Sequence, residues 1–216
     1  MSIATEIDEG SSARGADRKR RILSVAAELV AARGYHDVGM SDIGAAAGVT
    51  GSAIYRHFEG KSAVLVALFD RVIDNLTREA SEIVQASAEA NAEPIDILRG
   101  LIASQVDFTL DDRTLAQVYY TEVHNLPADD THRLRRKQRL YIEEWVHVLG
   151  MLRPDDNDGL LRARVHGAIG AIQSVLNYQS GLPPQELRVL MASIAESALC
   201  TDFEPNPSLS PTTRTS

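Results

Sequence analysis

Apolar residues recur at intervals of three and four along most of this chain. Ile22, Leu23, Ala26, Leu29 and Val30 form one such stripe, which predicts a first helix over about Asp17–Arg33, closed by Gly34. A short second helix is expected over Met40–Ala47, with Gly39 as a permissive N-cap, Asp42 facing the positive end of the dipole, and Gly48 as the stop. A third runs from about Gly51 to Phe58, and Glu59 and Gly60 break the chain before a fourth opens at Lys61. The fourth extends to about Ala90 and repeats apolar residues at Val64, Leu65, Leu68, Phe69, Val72, Ile73, Leu76, Ile83 and Val84, long enough to join two domains. Five more helices are predicted over roughly 94–110, 113–126, 129–151, 157–180 and 184–199, punctuated by Pro127, Pro154, Pro183 and Pro184. With no strand-like alternation of useful length and no internal repeat, the fold class is all-α.

Composition sharpens this picture. Of 216 residues 44% are hydrophobic but only 5% aromatic, as expected of helices packed by small and branched aliphatic side chains. The net charge of −8 argues against a broadly basic surface, so nucleic-acid binding has to rest on a local patch. Residues 14–61 supply one, with 8 Lys and Arg against 5 Asp and Glu. The single cysteine, Cys200, excludes an intrachain disulfide framework and a thiolate zinc cluster and fits a reducing compartment. No apolar run is long enough to span a membrane, and the acidic, polar N-terminus lacks the basic flank and apolar stretch of a secretory signal. A cytoplasmic protein with no membrane partner is expected. Residues 1–15 combine Gly, Ser and charge without periodicity, and residues 201–216 are rich in Pro, Ser and Thr, so both are expected to be disordered tails.

The informative stretch is IGAAAGVTGSAIYRHFEGKSAVL, from Ile43 to Leu65. In a helix-turn-helix the first helix needs a small residue where the second crosses it, and the turn four positions later needs a residue able to take positive φ. Gly44 and Gly48 meet both needs, and Ile43, Ala47, Val49 and Ile54 stand where packing would lock the two helices. A recognition helix entering the major groove needs small or polar residues at its N-terminal end, as Thr50, Gly51, Ser52 and Ala53 provide. Tyr55, Arg56 and His57 can reach backbone oxygens, and Lys61 opens a helix whose N-terminus favours a phosphate. The cluster Arg18, Lys19, Arg20 and Arg21 can flank a duplex, or can be a solvated helix start.

The run GYHDVGMSDIGAAAGVTGSAIYRHFEGKSAVL resembles the DNA-binding domain of the TetR family, over about Arg20–Leu68. The resemblance implies a three-helix DNA-binding domain over 16–60 and a helical ligand-binding and dimerisation domain over 61–200. It also implies a homodimer whose last two long helices form a four-helix bundle with the partner, and a regulator, by family habit a repressor, of a near-palindromic double-stranded operator. It assigns Ser52 and Ala53 to bases, Tyr55, His57 and Lys61 to phosphates, and Arg56 to either. The sequence departs from the family pattern at Val38 and Gly39, where Thr or Ser is frequent, at Gly44 in place of alanine, and at Gly60 where Asn or Ser is common.

Candidate residues for a small-molecule effector site are Gln105, Phe108, Tyr119, Tyr120, His124, Tyr141, Trp145, His166 and Gln173, large or polar-tipped side chains that either line a cavity between helices or fill the core. The basic run HRLRRKQR, His132 to Arg139, has two readings: the rim of a pocket for an amphipathic anion such as an acyl-CoA, or a solvated face paired with Glu143 and Glu144. Leu160, Leu161, Val165, Ala168, Ile169, Ile172, Val175 and Leu176, interleaved with Gly167 and Gly170, are expected at a subunit interface with Leu187, Leu190, Met191, Ile194 and Leu199. His124, His132, His147 and His166 lack the i, i+4 spacing of a helical metal site, and no phosphate-binding glycine loop or serine elbow occurs, so neither metal, cofactor nor catalysis is expected.

Overall fold

The computed structural model describes residues 3–202. Those residues form α1 (Ile3–Arg33), α2 (Met40–Ala46), α3 (Gly51–Ile54), α4 (Lys61–Glu89), α5 (Pro94–Asp111), α6 (Arg113–Thr121), α7 (Ala128–Leu152), α8 (Asp158–Gln173) and α9 (Pro184–Cys200). The expected apolar stripes are the buried ones. In α1 Ile22, Leu23, Ala26 and Val30 are inside, and in α4 so are Val64, Leu65, Leu68, Phe69, Val72, Ile73 and Leu76. α1 packs on α2, α4 and α6; α4 also packs on α5 and α7, and α8 lies between α7 and α9. One cluster of buried side chains runs from Ile22 to Leu199, so the core shows no break at the domain boundary expected near residue 60.

Several boundaries differ from expectation for local reasons. α1 begins at Ile3, inside the stretch expected as a polar tail. No proline falls between Ile3 and Arg33, and once a turn exists each added residue gains a hydrogen bond for one more fixed backbone position. The expectation for residues 203–216 lies outside the described residues. α3 is one turn long where a helix to Phe58 was expected, and the chain leaves it through tight turns, with His57 N donating to Ile54 O at 2.9 Å and Phe58 N to the same oxygen at 3.0 Å. α6 stops at Thr121, five residues early; a 3-10 turn, Val123–Asn125, follows, and Leu126 is extended because Pro127 bars the helical region to the residue before it. α8 likewise gives way to a 3-10 turn, Ser174–Asn177, whose Val175 carbonyl accepts from Arg113 Nη2 at 2.6 Å while Tyr178 O accepts at 3.0 Å. The α6 guanidinium thus takes up carbonyls that a longer α8 would have used. No helix among the described residues is long and apolar enough to cross a membrane.

Candidate nucleic-acid interface and central cavity

The turn between α2 and α3 is built as its glycines require. Gly48 sits at φ +65°, the left-handed region that side-chain-bearing residues avoid, and Val49 N donates to Gly44 O at 2.8 Å. A Cβ on Gly44 would stand 3.3 Å from Val49 O, so the close approach needs a residue without one or a small shift of the turn. Asp42 closes the start of α2, its Oδ2 accepting from Gly39 N at 2.8 Å. Beneath the motif Val38, Ile43, Ala47, Ile54 and Phe58 are buried, with Ile54 fully inside.

That packing fixes which residues face out. Thr50 is the N-cap of α3 and, with no side-chain capping bond, keeps its hydroxyl free. Ser52, Tyr55 and Arg56, at i, i+3 and i+4, form one exposed face, and the 57% exposure of Tyr55 excludes a packing role for it. His57 is half-buried at the edge of this face. Ala53 is a correction: at 8% exposure it points into the protein, since it shares the inward side with Ile54. Lys61 is a second. Its Nζ donates to Tyr35 O at 2.6 Å and to His36 O at 3.3 Å and lies 4.3 Å from the Tyr35 ring centroid. The ammonium therefore ties the loop before α2 to the start of α4, with one of its three N–H groups left over. Arg18, Lys19, Arg20 and Arg21 are exposed along α1, and Lys19 Nζ lies 5.5 Å from the Phe58 ring centroid, which brings this cluster beside the recognition turn.

Further along, a cavity of about 290 Å³ opens between α4, α6, α7 and α8, lined by Ile73, Leu76, Tyr119, Tyr120, Gln138, Tyr141, Ile142, His166, Ile169 and Gln173. Its polar lining is an ordered network. Gln138 Nε2 donates to Tyr119 Oη at 2.8 Å, and Tyr141 Oη donates to Gln105 Oε1 at 2.8 Å. Gln105 and Thr109 are fully buried behind that wall, Gln105 Nε2 donating to Thr109 Oγ1 at 3.2 Å. Burial pushes the phenols of Tyr119 and Tyr141 well above their ordinary value, and that of Tyr120, beside the amides of Gln105 and Gln173, up to about 12. All three phenols therefore stay protonated at neutral pH and able to donate. Half-buried Gln138 and Gln173, with exposed His166, mark the mouth.

The basic run on α7 divides in two. Arg133 meets Asp70 at 2.5 Å, and Lys137 meets Asp70 and Asp74 at 2.8 Å each, so these two cations bind α4 rather than Glu143 or Glu144. Burial alone would raise the Asp70 carboxyl, but the bonds from Arg133 and Lys137 outweigh it and hold the group below its ordinary value. Glu143 is taken by Arg162, at 2.7 Å and 2.8 Å, and Glu144 Oε1 accepts from Ser81. Arg135, Arg136 and Arg139 are exposed, and among the described residues no salt bridge engages them.

Residues 22–68 match the family described as bacterial regulatory proteins, tetR family. The HTH-type transcriptional repressor KstR2 of Rhodococcus jostii is 26% identical over 149 residues, which span 68% of this chain and 70% of the relative. The chain belongs to the TetR family. Its fold is the TetR fold: a TetR-family regulator of Bordetella parapertussis superposes with a TM-score of 0.72 over 82% of this chain and 93% of the other, at 24% identity. FadR of Bacillus subtilis, solved in complex with stearoyl-CoA, superposes with a TM-score of 0.71 over 85% and 99%, at 20% identity. As a TetR-family chain with this helix-turn-helix, the protein is a DNA-binding transcription regulator.

Of the effector-site candidates, Tyr119, Tyr120, Tyr141, His166 and Gln173 meet at the cavity, and Gln105 supports it from behind. Three do not meet there. Trp145 is fully buried in the core against Tyr141, their ring centroids 6.1 Å apart, because its large apolar surface is worth most inside. His124 is exposed on the 3-10 turn after α6. Phe108 faces a different groove, of about 550 Å³ between α4, α5 and α6, among Glu79, Glu82, Asp107, Asp111 and Asp112. Gln138 was missed, hidden within a run of cations; its signal was its place three residues before Tyr141 on one helix face. The interface expectation divides: its Gly167, Gly170, Leu190 and Ile194 are exposed, and most of its other residues are not. Leu161, Val165, Ala168, Ile169, Ile172, Val175, Leu176, Leu187, Met191 and Leu199 are buried in this subunit's own core, whereas Ala163, Gly167, Gly170, Val189, Leu190 and Ile194 are exposed on α8 and α9.

Proposed function

We propose that this chain acts as a homodimeric repressor that grips a near-palindromic operator through α3 of each subunit and releases it when an amphipathic anion, such as an acyl-CoA, enters the cavity between α4, α6, α7 and α8. The observation that carries the reading is the exposed Ser52, Tyr55 and Arg56 face held rigid on buried Ile54. In a major groove the Thr50, Gly51 and Ser52 end of that turn meets base edges, Tyr55 and His57 meet phosphates, and Arg56 meets either. Lys61 acts mainly by fixing the start of α4, whose N-terminal amides and dipole attract a phosphate.

The small and apolar residues exposed on α8 and α9 support pairing of two copies, which sets the two recognition turns about 34 Å apart, one turn of duplex. For repression, the support is a relative named as a repressor, KstR2; for the effector, it is the polar cavity, the exposed Arg135, Arg136 and Arg139 on the helix that walls it, and a fold neighbour solved with stearoyl-CoA. Occupancy would shift α4, which supplies both Ile73 and Leu76 to the cavity and Lys61 to the DNA end. The test is binding to duplexes tiled across the DNA upstream of the protein's own gene. One duplex should bind far better than random sequence, with affinity falling steeply as salt rises, and Tyr55→Ala with Arg56→Ala should flatten that salt dependence by about 1 to 2 in logarithmic slope. Equal affinity for every duplex refutes the proposal.

A further inference from the structure

Size and lining narrow the effector class beyond an amphipathic anion, on the reading above that the cavity is where the effector binds. At about 290 Å³ the cavity lies at the lower edge of the ~300–1,000 Å³ usual for ligand pockets. A long saturated chain of the stearoyl kind would have to extend beyond that space through the mouth.

The chemistry agrees with the size. Ile73, Leu76, Ile142 and Ile169 give the lining an apolar share, while Tyr119, Tyr120, Tyr141, Gln138 and Gln173 surround it with hydrogen-bonding groups. The partners of these groups leave specific capacity open. Tyr119 Oη accepts from Gln138, so its own proton remains to be donated. Tyr141 gives its proton to Gln105, so its oxygen remains an acceptor. A purely hydrocarbon occupant would strip these groups of water and return nothing, whereas an oxygen-bearing one would bond to them.

We propose that the buried end of the effector is a compact ring or short chain carrying a hydroxyl or carbonyl oxygen that accepts from Tyr119, with the anionic end outside beside Arg135 and Arg139. These two arginines lie exposed one helical turn apart on α7, the helix that carries Gln138, Tyr141 and Ile142 to the cavity, Arg135 standing three residues before Gln138. The anion is either a free carboxylate or the phosphates of a coenzyme A thioester.

The experiment is calorimetric titration of the full chain with para-hydroxybenzoyl-CoA, benzoyl-CoA, free para-hydroxybenzoate and stearoyl-CoA. The hydroxylated thioester should bind about tenfold or more tighter than benzoyl-CoA, with stearoyl-CoA weaker than both. Tyr119→Phe should lower the affinity for para-hydroxybenzoyl-CoA to that for benzoyl-CoA; if that variant fails to fold, the ligand series on the unaltered chain decides. Comparable binding of the free acid identifies the carboxylate as the anion, and binding of the thioester alone identifies the phosphates; both support the proposal. Equal affinity for the two aromatic thioesters, or tighter binding of stearoyl-CoA, overturns the proposal and leaves the cavity as an anion-effector site. Silence of all four probes overturns both.

Discussion

The bond from Tyr141 to Gln105 offers a double-mutant cycle with a sign that follows from burial. Tyr141 is 6% exposed and Gln105 not at all, and the bond between them is 2.8 Å. Tyr141→Phe leaves Gln105 Oε1 without its donor in a dry site, a loss of about 1–3 kcal/mol. Gln105→Leu removes the acceptor of Tyr141 and the donor to Thr109 together, so it belongs at the upper end of that range. The combined variant replaces both ends of the bond by apolar groups of similar shape, and its cost should fall short of the sum of the singles by about 1–2 kcal/mol. In a chain of this size each kcal/mol moves the melting point by roughly 2–4 °C. Urea unfolding followed by far-UV circular dichroism reads the cycle, at one fixed protein concentration because association would shift the apparent stability. Costs that add to within about 0.5 kcal/mol would refute the account of a coupled polar wall behind the cavity.

Other expectations follow from single sites. Gly48→Ala forces a side chain into φ +65° and should destabilise by about 1–2 kcal/mol while weakening DNA binding; an unchanged urea midpoint would count against the strained turn. Tyr120 has its phenol raised from 10.0 to about 12, so its contribution to stability is complete below pH 10 and lost as pH rises from 10 to 12, at about 1.4 kcal/mol per pH unit. Tyr120→Phe should flatten that alkaline limb in melting curves. The Asp70 carboxyl is held low by Arg133 and Lys137, so its contribution is present above the ordinary value of 3.8 and lost as pH falls through its lower folded value. Asp70→Asn should cost about 1–2 kcal/mol at neutral pH and remove that acid-side loss, which melting curves between neutral and acid pH would reveal.

What could be read from residue order follows the range of the forces involved. The stripe from Val64 to Leu76, the pair Gly44 and Gly48, and the prolines at helix starts are local signals, and the helices stand within a few residues of them. Lys61 was legible as a cation at a helix start, but its true partners, Tyr35 O and His36 O, lie about 25 residues earlier in the chain. The same holds for Arg133 and Lys137: Glu143 and Glu144 were the visible partners nearby in sequence, whereas Asp70 is 63 and 67 residues away. Trp145 and Phe108 share the helical spacing of the cavity residues and differ only in which neighbour they meet, a matter of helix rotation that periodicity does not encode.

α4 is one uninterrupted rod from the knot at Tyr35 to the far side of the cavity. Between Leu76 and Lys61 it covers about 22 Å at ~1.5 Å per residue, so a tilt of about 5° pivoting at Leu76 would carry Lys61 by roughly 2 Å. A shift of that size is several times the few tenths of an ångström that a hydrogen bond to a base edge tolerates. An occupant that tilts the beam by a few degrees where Ile73 and Leu76 meet the cavity is therefore geometrically sufficient to spoil the register at the DNA end.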